Sequence, residues 1–308
     1  MITSTNLLWI PVRALWWRDV IRFLRQRNRI IGALATPLVF WLLVGSGFGP
    51  SFQNPSSPST ATAIDCVASA NAASQQSALK NENKVKIPLD HSVSSTSTNN
   101  FNGHKATYLA YFFPGIILLI MLFTAIFSTI SVIEDRREGF LQGALVAPLS
   151  PAAIPLGKFL GGTTLAVLQA LFFCLLAPLA GIHLGATQLL LLLPALMLAG
   201  FSMTGLGFLV AWPMDSTQGF HAIMNIFLMP LWMMSGALFP MPAGSGWLYW
   251  VGQLNPVSYC VTAIRDALMM GTAGASLSHY GFALLITALF GVVTFGVSFY
   301  LVAYPRKK

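Results

Sequence analysis

Glu134-Asp135-Arg136-Arg137-Glu138-Gly139 places five ionisable residues in a row, in a chain of 308 residues of which only 8% are charged. Phe140, Leu141, Ala144 and Leu145 follow at i, i+1, i+4 and i+5, one face of a helix, ahead of Pro148. Acidic residues before an apolar face suit a helix N-terminus. The segment therefore predicts a short amphipathic helix over 134–146, in a loop at 133–155. Its chemistry is recognition: it packs on the protein's own helices or plugs into a partner. The nearest approach to a phosphate-binding loop is Gly157-Lys158-Phe159-Leu160-Gly161-Gly162, whose order is wrong for GxxxxGK[ST], so this chain should not bind ATP itself. There is no HExxH or GxSxG run, and Cys66, Cys174 and Cys260 have no metal-ligand spacing. Cys174 reads as a packing residue, whereas Cys66 and Cys260 fall on one side and are candidates for a disulfide. His221 stands alone near a span and reads as structural. Gln169, Ser202, Thr204 and Asn225 are scattered over three spans, without the convergence an intramembrane enzyme needs.

The elements that must position these residues are apolar. Hydrophobic residues make up 55% of the chain, and a soluble domain carries about 25% charged residues. Six runs approach the roughly 20 apolar residues of a membrane crossing: 30–49, 109–132, 156–180, 187–211, 220–239 and 282–303. They read as spans without charge, Lys158 being counted with the loop that precedes the third. The first is not a signal peptide, since an Arg-rich stretch precedes it and no small-x-small cleavage site follows. The fold class is all-α integral membrane protein.

Residues 1–29 differ from the spans. On a helical wheel Arg18, Arg22, Arg25 and Arg29 share one face and Trp16, Val20 and Phe23 lie opposite, with Arg27 breaking the apolar face. That pattern predicts an amphipathic interfacial helix with anionic headgroups as the charge partner. Residues 50–106 turn to Ser, Thr, Asn, Ala and Pro and predict a disordered external insertion. The stretch 240–280 is apolar but cut by Pro240, Pro242, Gly244, Gly246, Pro256 and Gly271. It predicts one or two short re-entrant or interfacial helices over 247–270, with Asn255-Pro256 as the turn and Trp247, Tyr249 and Trp250 in the aromatic belt.

The net charge of +8 is distributed for topology rather than for nucleic acid. Arg13, Arg18, Arg22, Arg25, Arg27, Arg29, Arg136, Arg137, Lys158, Arg306, Lys307 and Lys308 all fall on one side of six spans. The positive-inside rule puts that side, and both termini, in the cytoplasm.

Three stretches together resemble the type-2 permease family of ATP-binding-cassette (ABC) transporters, which includes daunorubicin-type drug-efflux and polysaccharide or Nod-factor export permeases. They are Arg137-Glu138-Gly139 with Ala147-Pro148-Leu149-Ser150 and Gly157-Lys158; Ser235-Gly236-Ala237-Leu238-Phe239-Pro240; and Asn255-Pro256-Val257-Ser258-Tyr259 with Ile264-Arg265. The resemblance implies an N-terminal helix (1–29) and a six-helix transmembrane domain (30–308), with an external re-entrant hairpin between the fifth and sixth helices. It implies an exporter permease in the bacterial inner membrane, moving a hydrophobic drug-like, lipid-like or glycan substrate. The partners would be a second permease subunit and separate ATPase subunits that bind the ATP and Mg, leaving this chain without cofactor. Arg136, Arg137, Glu138, Phe140 and Leu141 would make the ATPase contact. Gly236, Pro240, Asn255, Pro256, Tyr259 and Arg265 would belong to the exit hairpin, and Phe123, Phe127, Phe227, Met229 and Met233 to the substrate path. A secondary transporter or channel without an ATPase, or a scaffold without transport, are the competing readings.

Overall fold

A computed structural model describes residues 6–52, 108–146, 150–238, 247–270 and 276–304. Cys66, Pro240 and residues 53–107 of the polar insertion lie outside the described residues, so the Cys66–Cys260 pairing does too. All regular structure among the described residues is helical: α1 (Asn6–Arg25), α2 (Arg27–Phe52), α3 (Tyr108–Arg137), α4 (Phe140–Val146), α5 (Ala153–Cys174), α6 (Ala186–Ala211), α7 (Thr217–Trp232), α8 (Trp247–Leu254), α9 (Pro256–Met269) and α10 (Leu277–Ala303). Six stretches are long and apolar enough to cross a membrane: Arg27–Val44, Ala110–Arg137, Ala153–Cys174, Ala186–Ala211, Thr217–Ala237 and Leu277–Ala303. They agree with the six apolar runs. The third is shorter than its run, because the helix ends at Cys174 and a 3₁₀ turn at Ala177–Ala180 takes up the remainder.

The bundle is built round α3. Ile116 to Leu122 are buried at every consecutive position, which a helix achieves only when it is enclosed on all sides. Burial along the span of α3 is 89%, against 17% for that of α2 and 28% for that of α10, so the latter two form the rim. Trp41, Phe113 and Phe173 knit α2, α3 and α5 together, the two phenylalanines stacking at 4.9 Å between centroids. Near the start of α3, the Trp232 indole donates to the carbonyl of Gly115 at 2.9 Å.

Helix α1 docks on α5 through small residues. A Cβ at Gly157 would lie 2.8 Å from Leu15 Cβ, and one at Gly161 would lie 3.4 Å from Asp19 Cβ. Glycines at i and i+4 thus let the two backbones approach. The apolar side of α1 is used in the same contact: Val20 and Phe23 are buried with Leu165, while Trp9, Ile10 and Trp17 remain exposed. The chain breaks at Gln26, so Arg29, assigned from the sequence to the same helix as Arg18, belongs to α2.

Two sequence expectations need correction. The acidic pair Glu134-Asp135 does not open a loop helix: α3 runs on through Arg137, and the pair sits in its last turns. Gly139, at φ +76°, then breaks the helix, and α4 starts at Phe140. Nor are the spans free of charge. Lys158 lies within the third span and is only 3% exposed.

Gly157→Ala is expected to lower the thermal midpoint of the purified protein, since Leu15 Cβ moves only if the backbone of α1 moves. The expected loss is about 1–3 kcal/mol. Gly281→Ala, where an added Cβ meets nothing within 4 Å, should leave the midpoint unchanged or slightly raised.

Candidate functional site

The end of the bundle where α3 finishes and α5 begins carries a closed network of charges. Asp135 has no exposed surface, and three cations converge on it. Lys158 Nζ is 2.5 Å from its Oδ2 and Arg22 donates to its Oδ1 at 2.8 Å, while Arg18 also bonds Oδ2. Lys158 reaches Asp19 at 2.9 Å and donates to Ser131 Oγ at 2.9 Å. Arg22 continues to Glu138 at 3.0 Å and to Glu134 at 3.2 Å, and Arg29 closes on Glu134. Four cations (Arg18, Arg22, Arg29, Lys158) therefore meet four carboxylates (Asp19, Glu134, Asp135, Glu138), and the network is neutral. Burial works against the charge of Arg22, but Asp135, Glu134 and Glu138 outweigh it and hold the guanidinium above its ordinary pKa.

This arrangement revises the reading of α1. The partners of Arg18, Arg22 and Arg29 are the protein's own carboxylates rather than lipid headgroups; of the four arginines expected there, Arg25 alone forms no ion pair among the described residues. The same contacts offset an unfavourable placement, since Glu134 and Asp135 lie in the last turns of α3, where the helix dipole opposes negative charge. The Gly157-Lys158 pair in the sequence was the available signal. Its glycine admits α1, and its lysine, about 7–8 Å along α5 from Ala153, meets the carboxylate that α1 brings.

The residues expected to contact a partner divide into two groups. Arg136 bonds the carbonyl of Trp212 at the end of α6 and lies 3.5 Å from Asp215, and Arg137 donates to the carbonyl of Asp215 at 2.9 Å. These two brace the connection between α6 and α7, and Glu138 belongs to the charge network. Leu141 is buried and anchors α4. Phe140 is 40% exposed, with the Arg18 guanidinium 3.8 Å from its ring centre, and Val146 is 87% exposed. Helix α4 is thus fastened by one side and bare on the other.

At the opposite end, α7 passes into a π turn at Met233–Ala237, in which Gly236 adopts φ +75°. Its carbonyl accepts from Tyr111 Oη at 3.0 Å and from Arg265 Nη2 at 2.9 Å, with the Arg265 guanidinium 4.4 Å from the Tyr111 ring centre. The expected pair of short helices is present as α8 and α9. Asn255 joins them: its Oδ1 accepts from Val257 N at 3.0 Å as an N-cap, and its Nδ2 donates to Leu231 O in α7 at 2.6 Å. Pro256 occupies the first helical turn, and Tyr259 Oη donates to Gln253 O at 2.9 Å. Gly236, Asn255, Pro256, Tyr259 and Arg265 therefore sit together, along with Tyr111, which the sequence did not single out. Cys260 is fully buried against Thr287, and its thiol is pushed up to about 12 by burial. Of the substrate-path candidates, Phe123 and Phe127 are half-buried and stack at 6.4 Å, Met229 is half-buried, and Phe227 on α7 and Met233 at the start of the π turn are exposed.

Residues 11–269, from α1 to the end of α9, match a family model described as ABC-2 type transporter. The chain is 28% identical over 199 residues to the putative transport permease ycf38 of Cyanophora paradoxa, covering 61% of this chain and 69% of that protein. It is 27% identical over 195 residues to nodulation protein J of Sinorhizobium fredii, covering 62% and 72%. It is 26% identical over 161 residues to the probable multidrug ABC transporter permease YbhR of Escherichia coli, covering 52% and 44%.

Removing one member of the network leaves its partners charged in a dry setting. Lys158→Met is expected to destabilise the chain by about 3–5 kcal/mol, read as a fall in thermal midpoint. Arg25→Gln, exposed and outside the network, should change stability by no more than about 0.5 kcal/mol.

Proposed function

This chain belongs to the ABC-2 type transporter family as a membrane-spanning permease subunit, and on that footing we propose that it serves an ATP-driven exporter. In this reading the charged end of the bundle is cytoplasmic, a side supported by the distribution of Lys and Arg. A separate ATPase subunit binds ATP and Mg, hydrolyses the ATP and drives a permease dimer, formed with an identical or related chain. The membrane is a bacterial inner membrane. The substrate is a hydrophobic drug-like, lipid-like or glycan molecule, and it leaves past the apolar faces of α3 and α7 and the re-entrant pair α8–α9.

The observation that carries this reading is α4. A two-turn helix is tied down through Leu141 and through Arg18 over one face of the Phe140 ring, while Val146 and the rest of Phe140 stay exposed, which is the form a plug for a partner's groove would take. Arg136, Arg137 and Glu138 support the contact from behind by holding the end of α3 to α1 and to the α6–α7 connection. A stroke delivered to α4 would thereby reach α1, α3, α5 and α7 together.

Phe140→Glu is expected to abolish co-purification with a co-expressed partner ATPase, while membrane insertion stays as in the parent. Undiminished co-purification would overturn the assignment of α4. Vanadate-sensitive export from vesicles holding both proteins tests the direction of transport, and ATPase activity indifferent to the permease would count against it.

A further inference from the structure

A cavity of about 530 Å³ opens at the end of the bundle opposite the charge network, walled by α3, α8, α9 and the start of α10. One wall is the polar face of α9. Val257, Cys260, Val261, Ile264, Ala267 and Leu268 are buried against the bundle. Ser258, Thr262 and Arg265, at i, i+4 and i+7, face the cavity instead. Tyr249 and Gln253 of α8 add a hydroxyl and an amide from another wall, while the hydroxyls of Tyr111 and Tyr259 are already donated to the carbonyls of Gly236 and Gln253.

Its electrostatics are one-sided. No Asp or Glu is among the lining residues, and Arg265 forms no ion pair with any described residue. The adjacent carboxylate, Asp266, is turned to His279 at 2.8 Å. Arg265 spends one N–H on the carbonyl of Gly236 and lays its plane on Tyr111. Its Nε is buried with no hydrogen-bond partner, and so is the hydroxyl of Ser258 two turns earlier on the same face. Buried polar atoms are nearly always paired, so a guanidinium with a spare N–H and no ion pair among the described residues, next to an unpaired hydroxyl on the same helix face, constitutes a specific demand. A fixed guanidinium answers best to an oxyanion that takes two of its N–H groups. Donors on two walls, Arg265 and Ser258 from α9 and Tyr249 and Gln253 from α8, suit a tetrahedral oxyanion better than a planar one.

We propose that this cavity is a binding site for a phosphate ester of the kind carried by glycerophospholipid headgroups, with Arg265 as its counter-charge and Ser258 donating to it. The phenol groups of Tyr111, Tyr249 and Tyr259 then border the glycerol portion. The site goes beyond the transport reading and does not depend on an ATPase.

The test uses the purified full-length chain alone, with native mass spectrometry as the readout and phosphatidylglycerol, diacylglycerol, glycerol 1-phosphate and neutral chitobiose as probes. Phosphatidylglycerol should be retained at least tenfold better than diacylglycerol, which lacks only the phosphate-linked headgroup. Arg265→Gln should remove that preference by about tenfold or more, the scale of a hydrogen bond to a charged group, and Arg265→Lys should restore part of it. Ser258→Ala should weaken retention several-fold, and because that hydroxyl has no partner among the described residues, its loss should leave the fold intact. Displacement of the lipid by glycerol 1-phosphate would show that the phosphate ester suffices. Failure of displacement, with the preference and its Arg265 dependence intact, would show that the acyl chains are also needed. Equal retention of both lipids, undiminished retention by Arg265→Gln and Ser258→Ala, or binding of chitobiose alone would overturn the proposal.

Discussion

Burying Lys158 and Asp135 is the constraint to which the architecture at the charged end of the bundle answers. Either charge alone in a dry interior is costly, and a single ion pair rarely repays the desolvation of both. Here the carboxylate is met by three cations and the ammonium by two carboxylates and a hydroxyl, so little hydrogen-bonding capacity is wasted. That degree of compensation requires α1, α3 and α5 to meet at one point. Gly157 and Gly161 allow the meeting sterically, and Arg18 extends it to α4 by covering the Phe140 ring. A neutral, interlocked network of this kind ties α1, α2, α3, α4 and α5 to one another.

Helix α3 runs from that network to the other end. Tyr111 and Asp135 are separated by 24 positions, about 36 Å of helix rise, enough to cross a hydrocarbon core of about 30 Å. The enclosed helix therefore has its lower end in the charge network and its upper end on the carbonyl of Gly236. The upper contact is of another kind: a left-handed glycine in a π turn, one carbonyl shared by a phenol and a guanidinium, and an asparagine that bridges α7 and α9. Firm ionic contacts at one end and shared single acceptors at the other make the two ends unequal in stiffness.

Much of the architecture was legible in the residues. Six apolar runs mark six long helices because lipid-facing and core-facing helices alike exclude charge, and Asn255-Pro256 marks a helix start because a side-chain cap and a fixed φ are local properties. What escaped is non-local. A charged run after an apolar one reads as the end of a span, yet α3 continues through Glu134 and Asp135 because arginines more than a hundred positions earlier neutralise them. Lys158 was assigned to a loop for the same reason, its partner Asp19 being 139 positions away. At the other end, Gly236 and Arg265 stand out as a motif, but Tyr111 has no local signature and only the fold brings it to them.

The separation in sequence also orders the making of the protein. Residues 18 to 29 are synthesised long before Asp135 and Lys158 exist, and at about 5–20 residues per second the interval is on the order of ten seconds. Throughout it Asp19 is the one carboxylate on α1 to set against its arginines, and anionic headgroups are the other partners within reach. On this timing the α1 arginines meet headgroups first and the carboxylates of Glu134 and Asp135 once the second span is in place, and α1 meets Gly157 and Lys158 with the third. Its final docking serves as a record that the first three crossings are complete.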